Sequence, residues 1–251
     1  MKTVFLTGAT SGIGKATAEL LAANGYKLIL TGRREERLKE LQERLSHLAD
    51  IHILKFDVRD KENIPDLIDS LPEAFKKIDV LINNAGNAYG RDPIHEGLIE
   101  DWENMIDINL KGMLYLTRAI SPQMVERKNG HILNIASLAG RETYPNGAVY
   151  CASKSAVKAA TEGIRKDLNL YGIKVSCIDP GLVETEFSEV RFHGDKAAAE
   201  KVYQGYTPLT AFDVAETIEF VLSRPAHVNI ADTLILCTDQ ASSTIVRKEQ
   251  V

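Results

Sequence analysis

The feature that most constrains the fold of this chain is an alternation of short apolar segments with longer segments of helical periodicity. Strands and helices that alternate in this way form a parallel sheet, because each helix carries the chain back across the sheet. The apolar runs are continuous, which is typical of strands covered by helices on both faces. The pattern therefore predicts a doubly wound α/β fold, with strands at residues 4–7, 27–31, 51–56, 80–82, 131–136, 174–178 and 234–237.

The segments between these strands predict one domain over residues 1–251, since no linker, repeat or low-complexity tract divides them. One segment is unusual: residues 181–208 are polar, weakly periodic and far longer than a typical βα loop. Loops at the carboxyl ends of parallel strands build ligand sites, so we predict a mobile substrate lid there. The predicted helices cover residues 15–24, 37–45, 64–75 (interrupted or ended near Pro72), 102–124, 150–170 and 212–222.

Charge and composition narrow the classes of partner. The net charge is −5 and there is no basic block, which argues against nucleic acid as the main partner. No apolar run approaches the roughly 18 residues of a membrane span. Three scattered cysteines do not suggest a disulfide framework, and six histidines show no metal-ligand spacing, so we expect no metal. We expect a cytoplasmic protein.

A glycine-rich turn, TGATSGIG at residues 7–14, lies between the first strand and the first helix. Glycines let the backbone approach a pyrophosphate, and the helix N-terminus offers unpaired N–H groups. The spacing G-x-x-x-G-x-G differs from the general G-x-G-x-x-G fingerprint, and a tight structural turn is the alternative. The candidate cofactor contacts here are Gly8, Thr10, Ser11, Gly12, Ile13 and Gly14.

The end of the second strand indicates which dinucleotide is bound. An NAD enzyme usually carries an acidic residue there for the ribose 2′-hydroxyl, whereas this chain has Arg33 and Arg34. Guanidinium groups suit a 2′-phosphate, so the pattern favours NADP. The alternative is that both arginines belong to a solvated helix start.

Polar residues also end the third and fourth strands, at the edge that carries the glycine-rich turn. Asp57 can accept a hydrogen bond from an adenine amino group, and the asparagine pair at residues 83–84 can fix the loop backbone near the cofactor. For at least one asparagine we favour a structural role over direct contact. The candidate contacts in these two loops are Asp57, Val58, Asn84, Ala85 and Gly86.

The candidate catalytic residues are centred on Tyr150 and Lys154, which share one helix face at the i, i+4 spacing. A free tyrosine has a pKa near 10, and a nearby ammonium lowers that pKa by favouring the phenolate. Ser137 follows the fifth strand and can polarise a substrate oxygen. Asn109 is a poor mid-helix residue, which suggests a kink or a bound water. Tyr-x-x-x-Lys alone is a weak motif, and in an arbitrary helix the two residues would be ordinary surface residues. For Asn109 the alternative is a solvated position on the helix.

With these motifs in order, the chain resembles the short-chain dehydrogenase/reductase family over nearly its whole length. That resemblance implies a Rossmann-type, seven-stranded sheet in the order 3-2-1-4-5-6-7 and a catalytic tetrad of Asn109, Ser137, Tyr150 and Lys154. It also implies a homotetramer or dimer, of which we expect the tetramer. The cofactor contacts that it adds to those above are Tyr150, Lys154, Pro180, Gly181, Val183 and Thr185.

Residues 181–188, 190–192 and 229–233 are similar to the NADP-dependent 3-hydroxy acid dehydrogenase branch of this family. The resemblance implies oxidation of acids of the L-serine, L-allo-threonine and 3-hydroxyisobutyrate type, and the reverse reduction of their 3-oxo acids or semialdehydes. Reductases for sulfoacetaldehyde, sugars, steroids or 3-oxoacyl groups share the same tetrad and remain alternatives. A non-catalytic NADP-sensing module is a further one.

The expected mechanism assigns a role to each tetrad residue. Ser137 and Tyr150 hold the substrate oxygen, Tyr150 transfers the proton, Lys154 keeps Tyr150 acidic, and Asn109 holds a water that links Lys154 to solvent. A hydroxy acid also needs a group that binds its carboxylate. Arg191 in the lid and Arg141 beyond Ser137 are the candidates, although exposed arginines are common.

Overall fold

The computed structural model describes residues 1–248, and its central element is a seven-stranded parallel sheet in the order β3-β2-β1-β4-β5-β6-β9. Both the fold class and the strand order expected from the sequence are confirmed. The strands are β1 (Thr3–Leu6), β2 (Lys27–Gly32), β3 (Ile51–Lys55), β4 (Val80–Asn83), β5 (His131–Ile135), β6 (Lys174–Pro180) and β9 (Asp232–Ile235). The last strand begins and ends two residues before the predicted segment.

Helices cover both faces of this sheet. The main ones are α1 (Gly12–Ala23), α2 (Glu35–Leu45), α3 (Ile64–Asp69), α4 (Glu73–Lys76), α5 (Ile99–Ile106), α6 (Met113–Arg127), α7 (Ala148–Leu168) and α10 (Ala211–Ser223). Short 3-10 turns cover Leu138–Gly140 and Asn169–Tyr171. No helix within the part of the chain that the structure describes is long and apolar enough to cross a membrane.

Alternating side chains of the strands build two separate core layers. Val4 and Leu6 of β1 belong to the layer on one face, whereas Phe5 belongs to the layer on the other. The same alternation separates Leu28 from Ile29 in β2. These side chains are fully buried, and each contributes roughly 1.5–3 kcal/mol through removal of apolar surface from water. The sheet is thereby a rigid base whose carboxyl edge carries the loops described below.

Two predicted helices are interrupted. The segment at residues 64–75 forms two short helices, and Pro72 lies at the start of the second, where its missing N–H is not needed. The predicted helix at residues 102–124 is divided into α5 and α6 by a π-helical segment, Asp107–Gly112. The backbone at Asn109 therefore departs from regular α-helix, where the sequence suggested a kink or a bound water.

The long segment at residues 181–208 contains more regular structure than its weak periodicity predicts. It comprises β7 (Val183–Glu184), α8 (Phe187–Arg191) and α9 (Lys196–Val202), and β7 pairs with β8 (Leu209–Thr210) just beyond its end. The Tyr203 hydroxyl donates to the Val183 carbonyl over 2.9 Å, which holds the two ends of the segment together. Its role as a lid remains a prediction.

Candidate active site

A cleft of about 380 Å³ opens at the carboxyl edge of the sheet, between the loops and the 181–208 segment. Gly14 and Asn109 lie outside its lining, while the other predicted cofactor and catalytic residues and Arg191 line it. The predicted residues that the cleft brings together are Gly8, Thr10, Ser11, Gly12, Ile13, Arg33, Arg34, Asp57, Val58, Asn84, Ala85, Gly86, Ser137, Tyr150, Lys154, Pro180, Gly181, Val183, Thr185 and Arg191.

The glycine-rich turn has the geometry of an anion cradle. Gly8 and Gly12 adopt φ values of +68° and +49°, which favour glycine. A side chain at Gly14 would place its Cβ 2.2 Å from the Gly8 carbonyl oxygen, so helix α1 packs too closely on the turn for any other residue. Ser11 starts α1 without a side-chain cap, and the first turn holds no acidic residue. The turn therefore fits the pyrophosphate of a dinucleotide.

Asn84, the first residue after β4, braces this turn, whereas Asn83 ends the strand and bonds within the core. The Asn84 side-chain amide donates to the Thr7 carbonyl over 2.9 Å, and the Thr7 hydroxyl accepts from the backbone N–H groups of Asn84 and Ala85. Asn83 is buried, and its amide donates to Asn134 over 2.8 Å. The structural role expected for at least one asparagine is confirmed for Asn83.

The two arginines after β2 occupy different environments. Arg33 is exposed, lines the cleft and makes no side-chain hydrogen bond or ion pair with the described residues. Arg34 donates to the hydroxyls of Thr10 and Ser11 at 2.7–3.1 Å and is fixed against the glycine-rich turn. Helix α2 begins only at Glu35, so both arginines precede the helix.

The carboxylate of Asp57 is already engaged. It accepts hydrogen bonds from the Arg59 backbone and guanidinium at 2.7–3.0 Å. Burial by itself would raise the pKa of Asp57, but the Arg59 contacts and the charge of Arg33 bring that pKa below its ordinary value. Asp57 is thus an ionised hydrogen-bond acceptor at the cleft wall. Its partner Arg59 was not among the residues predicted from the sequence.

Tyr150 and Lys154 lie one turn apart near the start of α7, and both are nearly fully buried. The Lys154 ammonium donates to the Ile135 carbonyl over 3.0 Å. It also lies beside Gly86, where an added Cβ would be 3.2 Å from Nζ. Ser137 faces Tyr150 from the end of β5, in extended backbone that starts a 3-10 turn.

The electrostatics of this pair differ from the sequence expectation. Burial raises the pKa of Tyr150, and the Ser137 hydroxyl and the Arg191 guanidinium oppose this rise. Burial also lowers the pKa of Lys154 to about 8. Burial therefore outweighs the lowering of the Tyr150 pKa that the sequence predicted, and the role of Lys154 in keeping Tyr150 acidic stays a prediction.

Asn109 is buried behind the cleft rather than solvated. Its side-chain amide donates to the Asn87 carbonyl over 2.8 Å and to the Ser153 hydroxyl over 3.0 Å. Its carbonyl oxygen accepts from the Asn87 backbone N–H over 2.8 Å. Asn109 thus joins the loop after β4 to helix α7, and the alternative of a surface helix residue is wrong.

Arg191 forms one wall of the cleft. Its guanidinium lies 5.6 Å from the ring centre of Tyr150 and 5.4 Å from that of Tyr144. Its Nε donates to the Gly90 carbonyl over 3.3 Å. The Arg91 guanidinium also approaches Tyr144, at 5.9 Å from its ring centre. The sequence did not indicate Tyr144 or Arg91, because neither belongs to a periodic pattern or a motif; their proximity arises only from the fold.

The Tyr144 hydroxyl is buried and has no hydrogen-bond partner among residues 1–248. Burial raises the pKa of Tyr144, against the nearby charge of Arg191. A neutral phenol that lines the cleft can donate a hydrogen bond to a ligand there. Two guanidiniums and one phenol thus suit an anionic ligand group beside Tyr150.

Arg141, the second carboxylate candidate, is committed elsewhere. Its guanidinium forms ion pairs with Asp179, at 2.5 Å between Nε and Oδ2, and with Asp232. Lys158 bonds the same two carboxylates at 2.5 and 3.0 Å. Asp179 is fully buried, so these cations neutralise it. The proposal of Arg141 as a carboxylate ligand is therefore wrong, since its charge stabilises the end of β6.

Cys151 is fully buried and packs beside Tyr150, as its position one residue along the helix predicts. In the described part of the chain, no cluster of three or more histidine, cysteine or acidic side chains is arranged to hold a metal ion.

Comparison with known proteins relates this site to dehydrogenases. The family described as short chain dehydrogenase matches residues 2–196. A Schizosaccharomyces pombe protein named NADP-dependent 3-hydroxy acid dehydrogenase is 46% identical over 99% of this chain and 97% of its own length. Sulfoacetaldehyde reductase 2 of Chromohalobacter salexigens is also 46% identical, over 96% of each chain. The closed form of a serine dehydrogenase complexed with NADP⁺ superposes with a TM-score of 0.93 and 44% identity, covering 99% of this chain and 100% of that one.

Proposed function

This chain belongs to the short-chain dehydrogenase family, and on that premise we propose that it uses NADP to interconvert a small 3-hydroxy acid and its 3-oxo acid or semialdehyde. It is an oxidoreductase that acts on a CH–OH group. The observation that carries the choice of an acidic substrate is the guanidinium of Arg191, 5.6 Å from the Tyr150 ring in the cleft.

NADP is the cofactor that the binding residues favour. The uncapped start of α1 and the crowded contact at Gly14 suit the pyrophosphate, while Arg33 and Arg34 suit the 2′-phosphate. Bound NADP⁺ supplies the hydride acceptor for the carbinol carbon, and NADPH supplies the donor in the reverse direction. The relative from S. pombe is named NADP-dependent, which supports the same choice.

Tyr150 transfers the proton in both directions of the reaction. In oxidation, its phenolate oxygen accepts the substrate hydroxyl proton as the carbonyl forms, and in reduction the phenol returns that proton. Ser137 orients the substrate oxygen against Tyr150. Lys154 supplies a positive charge that helps to stabilise the developing phenolate only when it is protonated, below its pKa of about 8. Asn109 contacts helix α7 through Ser153, and in this proposal it holds a water that links Lys154 to solvent.

The carboxylate of the substrate binds Arg191, with Tyr144 donating a second hydrogen bond. Arg191 is already positioned in the free protein, because its Nε donates to the Gly90 carbonyl and its guanidinium lies 5.4 Å from the Tyr144 ring centre. A group fixed in this way loses little side-chain entropy on binding. We propose that residues 181–208, which carry Arg191, act as the lid of the single domain.

Sulfoacetaldehyde reduction is the second candidate, because a relative of equal identity carries that name and a sulfonate also suits two arginines. A carboxylate and a sulfonate differ in size, so kcat/KM for the two substrates separates the candidates.

The test is a substrate panel followed through the absorbance of the reduced nicotinamide. NADP and NAD would be compared with L-serine, L-allo-threonine, 3-hydroxyisobutyrate, isethionate and a plain secondary alcohol. We expect turnover with NADP and the 3-hydroxy acids. Turnover with the plain alcohol alone, or with NAD alone, would contradict the substrate or the cofactor assignment. Tyr150→Phe tests the sensing alternative, since an enzyme loses turnover and retains NADPH binding.

We also propose that the protein works in the cytoplasm as a homotetramer. Three buried cysteine thiols, at Cys151, Cys177 and Cys237, suit a reducing compartment. Exposed apolar side chains on the helices, Ile106 and Leu114 among them, offer surface for subunit contact. Light scattering of the purified protein would measure the subunit number.

A further inference from the structure

The 181–208 segment contacts Arg34, a predicted cofactor residue, and Arg37 of α2 through one acidic residue, Glu186. The Glu186 carboxylate accepts from Arg34 Nη1 over 3.1 Å and from Arg37 Nη1 over 2.8 and 2.9 Å. Burial by itself would raise the pKa of Glu186, but these two guanidiniums bring it below its ordinary value. Glu186 is therefore a fixed negative charge at this end of the cleft.

Arg34 has few donors left once these contacts are made. Its Nε and Nη2 point at Thr10 and Ser11 in the glycine-rich turn, and its Nη1 points at Glu186. Arg37 is likewise oriented toward Glu186, with one further contact to the Thr10 carbonyl at 3.4 Å. A dianionic group that approached Arg34 would meet the Glu186 carboxylate on the same guanidinium.

The neighbouring residue ties this contact to the cofactor cradle. Thr185 lies over the glycine-rich turn, 3.3 Å from where a Cβ on Gly12 would stand. The start of the 181–208 segment is thus seated across the turn, with Glu186 beyond it toward the arginines. The three charged groups belong to different elements: Arg34 precedes α2, Arg37 is in α2, and Glu186 precedes α8.

We propose that Glu186 is a specificity-determining residue that competes with the 2′-phosphate of the cofactor for Arg34. This rests on the proposed function, because it assumes an NADP site at these arginines. Binding of the 2′-phosphate transfers Arg34 from Glu186 to the phosphate and leaves Glu186 paired with Arg37. Glu186 therefore weakens binding of a 2′-phosphorylated nucleotide, while a nucleotide with a free 2′-hydroxyl is not opposed in this way.

The competition also links the cofactor to the 181–208 segment. Since Glu186 anchors the start of that segment, loss of one of its two arginine partners loosens the anchor. The exposed fractions of the three side chains are 43–44%, so the solvent screens each contact and the exchange involves a modest free-energy change.

The experiment is calorimetric titration of the full chain with adenosine 2′,5′-bisphosphate and with AMP. These ligands differ only in the 2′-phosphate and require no turnover. We expect Glu186→Gln to bind the bisphosphate roughly three- to tenfold more tightly than the parent protein, as removal of one partly screened like charge implies. AMP affinity should change less than about twofold. Glu189→Gln is the matched control, since Glu189 is an exposed acid of the same segment without an ion pair in residues 1–248.

The outcomes separate this proposal from the function it rests on. A parent protein that binds bisphosphate and AMP equally would refute the NADP assignment and this proposal with it. A parent preference for bisphosphate that Glu186→Gln leaves unchanged or reduces would refute the role of Glu186 alone. Equal gains in Glu186→Gln and Glu189→Gln would also refute it, because a general change in net charge would then account for the effect.

Discussion

Replacement of Arg191 by methionine would test how the cleft distinguishes an acid from a neutral alcohol. Methionine keeps an apolar stem of similar length and removes the guanidinium, which lies 5.4 Å from the Tyr144 ring centre. The best substrate pair is 3-hydroxyisobutyrate and its methyl ester, which share the reacting carbinol and differ in charge. If Arg191 binds the carboxylate, only the acid loses its partner.

The size of the effect follows from the kind of bond lost. A hydrogen bond to a charged group contributes about 1.5–3 kcal/mol, which corresponds to roughly 10- to 150-fold in kcat/KM. We expect a loss in this range for the acid. The ester should lose less than about threefold, through the smaller change at Tyr150. Arg191 favours the Tyr150 phenolate, so its removal also raises the pKa of Tyr150 and moves the rise of activity with pH to higher pH for both substrates.

The assay is steady-state kinetics with both substrates over a range of pH, with Arg91→Met as the matched control. Arg91 also lines the cleft, with its guanidinium 5.9 Å from the Tyr144 ring centre, so its removal should lower kcat/KM for the acid less than removal of Arg191 does. Equal losses for acid and ester in Arg191→Met would refute the carboxylate assignment. Equal losses of kcat/KM for the acid in Arg191→Met and Arg91→Met would mean that the preference for the acid over the ester comes from the overall positive charge of the cleft.

Three further predictions concern buried charges. Asp179→Asn should lower the free energy of unfolding, measured by urea titration, by about 2–4 kcal/mol, because Arg141 and Lys158 would then have Asp232 as their remaining carboxylate partner. The control is Glu162→Gln, which removes a surface pair with Lys166 and should change the free energy of unfolding by less than about 1 kcal/mol. Burial lowers the pKa of His131 to about 3. The stability that neutral His131 contributes to the folded state is therefore complete above its unfolded pKa of 6.5 and is lost as the pH falls toward 3. The free energy of unfolding should fall by about 2 kcal/mol between neutral pH and pH 5, and His131→Asn should reduce this dependence on pH. An unchanged dependence of the free energy of unfolding on pH in His131→Asn would contradict the prediction. Lys154 has its pKa lowered, so the native state gains stability from pH 8 to 10.5, and Lys154→Met should stabilise the protein by about 1–3 kcal/mol at pH 7 while turnover is lost. A destabilised Lys154→Met would show that the bond to Ile135 outweighs desolvation.

Local patterns were sufficient for the parts of the site that depend on backbone conformation. The positive φ values of Gly8 and Gly12 and the crowding at Gly14 are requirements that only glycine meets, so the turn could be recognised from residue types alone. Tyr150 and Lys154 share a helix face, and their proximity follows from the helical repeat. The strand order came from the family resemblance, since the alternation of elements predicts a parallel sheet without its order.

Contacts between distant segments could not be predicted in this way. Arg141 has the same side chain as Arg191, but Asp179 neutralises it, and only the fold shows that a carboxylate lies beside it. The pKa of Tyr150 was likewise misjudged, because spacing shows that an ammonium is near but not how deeply both groups are buried. Glu186 was missed because its partners precede it by about 150 residues in the chain.

The π-helical segment Asp107–Gly112 has a consequence for how the chain can vary in length. A π turn contains about one residue more than an α turn, and each helical residue rotates the face by about 100°. The segment sets the rotational phase between Asn109, which faces the loop after β4, and Leu116 and Ile120, which face the sheet. Deletion of one residue there would restore regular α-helix but place one of these faces out of phase. The number of residues in this segment is therefore constrained independently of their identities.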